Sequence, residues 1–118
     1  APRKPVPTPS RSSGRSPARA SDSSREIKHD IHPLTAMGDK LDRLVPVSFI
    51  YNDDRRNWKR YGLIYEDTLP VMPDICHEIR EGEVISKGIS YEDLITVLVK
   101  EVQDLRARVT ALERQQTG

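Results

Sequence analysis

Cysteine, aromatic residues and long apolar runs are all scarce in this chain, and each scarcity excludes a class of protein. Cys76 is the only cysteine among 118 residues, which excludes an internal disulfide framework and a cysteine-rich metal site; a buried structural thiol is its expected role. His29 with His32, and His77 beside Cys76, fall short of the ligand count a metal demands, so neither metal nor cofactor is expected. No apolar run approaches the roughly 20 residues of a membrane span. The Pro/Arg/Ser-rich N-terminal segment lacks the apolar stretch of a signal peptide. The chain therefore reads as soluble and intracellular when made, with no membrane partner. Its Ala-Pro-Arg start is that of a fragment, a processed product or a chain relieved of its initiator methionine.

Aromatics amount to 5% and are confined to Phe49, Tyr51, Trp58, Tyr61, Tyr65 and Tyr91. The bulky core formers thus sit in the middle, and the ends must be held some other way. At 36% hydrophobic and 31% charged, the composition allows one small domain with appendages.

The formal charge of +1 conceals an asymmetry. Arg3, Lys4, Arg11, Arg15 and Arg19 against Asp22 give residues 1–22 a charge of +4, which leaves −3 for the rest. Five of the nine prolines lie in the same stretch, with many serines and almost nothing to bury, so it reads as a disordered linker or arm. Five dispersed cations without interleaved aromatics are a weak nucleic-acid footprint, and nucleic acid is not the expected partner.

From Ile27 the composition changes. Met37, Leu41 and Leu44 recur at helical spacing, which predicts a short amphipathic helix ending before Val45-Pro46. Val47-Ser48-Phe49-Ile50-Tyr51 reads as a strand and Asn52-Asp53-Asp54 as turn chemistry. With Arg55 to Arg60 as a polar loop and Tyr61 to Tyr65 apolar again, a β-hairpin from Val47 to about Ile64 is predicted. Pro70 and Pro73 allow at most a short helix before them. Residues 75–79 are expected as a short strand or turn, and Glu83 to Gly88 as a short strand that glycine ends.

The last element is the clearest. Ser90 stands as N-cap with Asp93 at N3, a near match to the capping box, the cap itself contributing about 1 kcal/mol. Ile95, Val102 and Val109 then fall at a positions, and Tyr91, Leu98, Leu105 and Leu112 at d positions. A helix from 91 to about 115 would be roughly 37 Å long. Tyr91 to Leu98 can pack on the protein's own domain, but Val102 to Leu112 project too far, which predicts self-association. β-Branched a with Leu at d favours a dimer in isolated parallel coils.

Three segments carry a resemblance to a known family. Ser23-Ser24-Arg25-Glu26-Ile27-Lys28-His29-Asp30-Ile31, Tyr61-Gly62-Leu63-Ile64-Tyr65-Glu66-Asp67 with Leu69-Pro70, and Ile89-Ser90-Tyr91-Glu92-Asp93-Leu94 occur in this order. Together they resemble the intramolecular chaperone auto-processing domain at the C-terminus of phage tailspikes and tail fibres, over about residues 23–114. Glu26, His29 and Tyr65 depart from the family's usual Arg, Glu and Ala.

The resemblance implies an α+β fold, a small mixed domain with a β-hairpin and short helices, followed by a helix forming a homotrimeric coiled coil; here it overrides the dimer preference of the seam. The division expected is 1–22 linker, 23–89 auto-processing core and 90–118 coil. It further implies self-cleavage just before a serine, with Ser23 as nucleophile, Lys28 as base and Asp22-Ser23 as the scissile bond. Partners would be two further copies and the upstream fibre portion of the same polypeptide, without a small-molecule substrate, in a virion tail or in the host cytoplasm during assembly.

A serine hydroxyl is a poor nucleophile until a base takes its proton, and Ser-Lys pairs meet that need. Lysine titrates near 10.4 in water, so burial in an assembly would be what brings it toward neutrality. Glu26 would oppose this if its carboxylate lay near Lys28. A five-residue offset puts Ser23 and Lys28 on different faces of a regular helix or strand, so the pair needs a turn or a partner subunit; Ser24 and Lys28 would share a helix face. Taken without the resemblance, Ser23 and Lys28 read as a solvated helix start. A non-catalytic trimerisation module is the second reading, and a nucleic-acid-binding arm on a coiled coil a distant third.

Overall fold

The computed structural model describes residues 22–117. The proposed arm over residues 1–22 therefore lies, apart from Asp22, outside the described residues. The chain divides after Pro33 into two units.

In the first unit, Arg25–Ile27 forms a single 3₁₀ turn, and residues 22–33 are all exposed. Ser24 caps the turn: its hydroxyl accepts from the Glu26 amide at 3.1 Å. The turn is closed by Ile27 N–H to the Ser24 carbonyl at 3.2 Å and Lys28 N–H to the Arg25 carbonyl at 3.3 Å. Capping by a serine oxygen is the expected use of this residue at a helix start.

The second unit is α+β. Helix α1 (Gly38–Arg43) is followed by strands β1 (Val47–Phe49) and β2 (Arg60–Gly62), which pair antiparallel with Val47 opposite Gly62 and Phe49 opposite Arg60. This is the predicted hairpin, and α1 is the predicted amphipathic helix, its Met37, Leu41 and Leu44 turned onto the core. A short helix α2 (Tyr65–Thr68) and a 3₁₀ turn (Pro73–Ile75) come next, the second opened by a proline that needs no helical partner for its nitrogen.

Strands β3 (Cys76–Glu81) and β4 (Val84–Ile89) form a second antiparallel hairpin, with Cys76 opposite Ile89 and Glu81 opposite Val84. Gly82 takes the turn at φ 62°, the left-handed conformation that glycine adopts without steric cost. Gly88 does not end β4 as the sequence predicted. It pairs with His77 inside the ladder, in open space that places no demand on its side chain.

Helix α3 (Tyr91–Thr117) closes the chain, 27 residues and about 40 Å long. Its first turn is anchored twice: Ser90 N–H donates to the Ile75 carbonyl at 2.7 Å, and Leu94 N–H donates to the Ser90 carbonyl at 3.4 Å. No helix among the described residues is long and apolar enough to cross a membrane.

The core is thin. Among the described residues, Met72, Ile75 and Val97 are its only fully buried apolar side chains, surrounded by half-buried Leu41, Leu44, Leu63, Val71, Cys76, Ile89 and Leu94. Thr68 is buried with them and silences its hydroxyl by donating to the Ile64 carbonyl at 2.8 Å, as a buried polar group requires. Cys76 is half-buried, with Sγ 3.6 Å from the Met72 carbonyl, and burial pushes its thiol pKa up.

Candidate functional site

The sequence required a turn or a partner subunit to bring Ser23 and Lys28 together, and a 3₁₀ turn lies between them. The Lys28 Nζ donates to the Ser23 Oγ at 2.8 Å. The same turn separates the two serines: Ser24 Oγ is engaged as the cap, so it is Ser23 and not its neighbour that faces the lysine. The shared helix face that would have paired Ser24 with Lys28 does not form, because the helix lasts for one 3₁₀ turn. Among the described residues no ion pair joins Glu26 to Lys28, so the feared carboxylate is not on the ammonium.

The hydroxyl and amine are solvent-exposed in the single chain. The Ser23 hydroxyl becomes a nucleophile only when its proton is taken, a role open to Lys28 only as the neutral amine. Asp22, the residue before Ser23, is also exposed. His32 Nε2 and Asp30 Oδ1 form a separate exposed pair at 2.7 Å. The described residues contain no cluster of His, Cys, Asp and Glu able to hold a metal ion.

The seam of α3 is the second candidate surface. Ile95, Leu98, Val102, Leu105, Val109 and Leu112 are all between 46 and 61% exposed, and Tyr91 is 46% exposed. The expectation that Tyr91 to Leu98 packs on the protein's own domain needs correcting in its detail. The domain holds Tyr91 through the Leu63 amide and takes Leu94 and Val97, each next to a seam position, while the seam from Ile95 onward stays exposed. The apolar residues between seam positions were the available signal: Leu94 flanks the seam, three residues after Tyr91 and four before Leu98, and Val97 lies one turn further on.

That bare face continues into an apolar groove of about 720 Å³, walled by Leu41, Leu44, Val47, Leu63, Leu94 and Leu98. Tyr91 forms one end of it, where its Oη accepts from the Leu63 amide at 2.9 Å.

Residues 55–60, expected as an undifferentiated polar loop, are organised by Asp54. Asp54 Oδ1 accepts from the Arg56 amide at 2.9 Å and from Arg56 Nε at 3.3 Å, and Oδ2 accepts from the Trp58 amide at 3.2 Å. The Arg56 backbone bond leads the causes that hold the Asp54 carboxyl below its ordinary range. The Arg56 guanidinium lies over the Trp58 ring at 3.9 Å, a cation–π contact.

In class the fold is a small α+β domain carrying one long helix with an open apolar seam. More particularly, residues 23–77 match the family model Peptidase_S74, chaperone of endosialidase, in line with the family that the sequence resembled. The match begins at Ser23 and takes in the first two of the three resembling segments. No curated protein matches the chain.

Proposed function

We propose that this chain is an intramolecular chaperone of a phage tailspike or tail fibre, which assembles as a homotrimer through α3 and then releases itself by Ser-Lys autoproteolysis between Asp22 and Ser23. The observation that carries the cleavage reading is the 2.8 Å contact between Lys28 Nζ and Ser23 Oγ, built by a turn whose own capping needs are met by a different serine. The parts divide as 1–22 linker, 23–89 auto-processing core and 90–118 coil, acting in a virion tail or during its assembly.

In this mechanism packing of the assembled copies removes water from Lys28 and favours its neutral amine. Lys28 takes the Ser23 hydroxyl proton, Oγ attacks the Asp22 carbonyl carbon, and the Asp22-Ser23 C–N bond breaks as the Ser23 nitrogen gains a proton. The result is an ester between the Asp22 acyl group and Ser23 Oγ. Water hydrolyses it, leaving a carboxylate at Asp22 and a free amine and hydroxyl at Ser23. The exposure of both groups in the single chain supports the coupling of cleavage to assembly.

Intact mass of the purified chain over time tests this, beside Ser23→Ala and Lys28→Ala. A fragment beginning at Ser23, abolished by either substitution, is expected. A chain that stays whole while forming trimers favours the second reading, a non-catalytic trimerisation module.

A further inference from the structure

An apolar seam promotes association without deciding the direction or the height at which helices meet. We propose that four charges flanking the seam, Glu101, Arg106, Arg108 and Glu113, hold α3 parallel and in register with α3 of a second copy of this chain. The proposal rests on the seam reading above and adds to it the alignment.

With Ile95, Val102 and Val109 at a positions, Glu101 and Arg108 occupy g, and Arg106 and Glu113 occupy e. In a parallel coil a g residue faces the e residue five positions later on its neighbour. Glu101 then meets Arg106 of the next copy, and Arg108 meets Glu113, so both pairs are of opposite sign. A slip of one heptad sets Glu101 against Glu113 on one flank and Arg108 against Arg106 on the other, like against like. An antiparallel pair that layers Val102 on Leu105 still joins Glu101 to Arg108, but it places Glu92 against Glu113. Only the parallel, in-register arrangement satisfies these flanks without a like-charge contact.

The structure leaves these charges available. Arg106, Arg108 and Glu113 are exposed, and half-buried Glu101 lies on the flank between the seam and α1, its carboxylate oxygens 3.3 Å from where a β-carbon on Gly38 would stand. Among the described residues the ion pair within α3 is Lys100–Asp104 at 2.9 Å, away from the seam, and none of the four flank charges has an ion-pair partner in its own chain. A one-heptad slip displaces the helices by about 10 Å. In-register flanks therefore bring the attached domains to a common height.

The test uses the full chain with Cys76→Ser and Val109→Cys, oxidised in solution, together with charge reversals followed by sedimentation. The thiol introduced at position 109 is expected to cross-link to the same position of another copy, which a slipped or antiparallel pair puts out of disulfide reach. Arg106→Glu with Glu113→Arg, and separately Glu101→Arg with Arg108→Glu, are each expected to weaken association at least about tenfold. All four reversals together restore it, which excludes a folding defect as the cause. An oligomer indifferent to the reversals, or one that does not cross-link through position 109, overturns the alignment alone. An unmodified chain that stays monomeric overturns the seam reading and the alignment together.

Discussion

The phenol oxygen of Tyr91 stands 2.6 Å from the point where a β-carbon on Gly62 would be, and the same oxygen accepts from the Leu63 amide at 2.9 Å. Tyr91 opens α3 and Gly62 ends β2, so one side chain fixes the long helix to the first hairpin. Two of the three segments that carried the family resemblance, Tyr61-Gly62-Leu63 and Ser90-Tyr91-Glu92, are thus two sides of one contact.

Gly62→Ala is expected to destabilise the domain by about 1–3 kcal/mol, because the new methyl meets Tyr91 Oη and also lies 3.3 Å from Phe49 Cε1. Tyr91→Phe alone leaves the Leu63 amide without its partner and costs about 1 kcal/mol. Combined, the two substitutions cost less than their sum, since removing the oxygen relieves the clash. Denaturant unfolding at one fixed protein concentration measures all three.

Ser23 and Ser24 are adjacent hydroxyls with separable duties. Ser23→Ala is expected to abolish release of a fragment beginning at Ser23. Ser24→Ala removes a cap worth about 1 kcal/mol and loosens the turn, so the fragment still forms but more slowly. Ser24→Asp, which caps as well as serine, restores the rate. Mass-resolved time courses of the three variants decide it; loss of cleavage in Ser24→Asp as complete as in Ser23→Ala would reassign the nucleophile.

Asp54 makes the loop before β2 sensitive to acid. Its carboxyl sits below the ordinary 3.8 because the charged form accepts from the Arg56 and Trp58 amides and from the Arg56 side chain. A depressed folded value means the contribution is complete above the unfolded pKa and is lost as pH falls through the folded one, hence below pH 3.8. Trp58 is the only tryptophan, so its fluorescence reports the change. In Asp54→Asn the acid transition of that signal is expected to vanish, with the loop already loosened at neutral pH.

Local pattern carried far in this chain. The spacing of Met37, Leu41 and Leu44 located α1, the β-rich run from Val47 located the first hairpin, and the serine cap with its heptads located α3 to within a few residues. Non-local geometry was less legible. The β3–β4 ladder sets Ile79 opposite Ser86 and Val84 opposite Glu81, and Ile79 and Val84 are both more than half exposed, so no inside-outside alternation marked the ladder. The choice of Leu94 and Val97 over the seam depends on where Met72 and Ile75 come to lie. The Ser23–Lys28 pair was legible as residue types, but the contact depends on a one-turn 3₁₀ helix that periodicity cannot reveal.

The β3–β4 ribbon is a sheet of two strands, and such a sheet is all edge. Ile79, Val84 and Ile85 remain exposed along it, and its tie to the preceding helix is a surface pair, Lys87 Nζ to Glu66 Oε2 at 3.5 Å. Two strands alone are only marginally stable in water. The ribbon therefore has little stiffness of its own: in a lone chain its amide hydrogens are expected to exchange freely along the outward edges, faster than those of α3 where it meets the core.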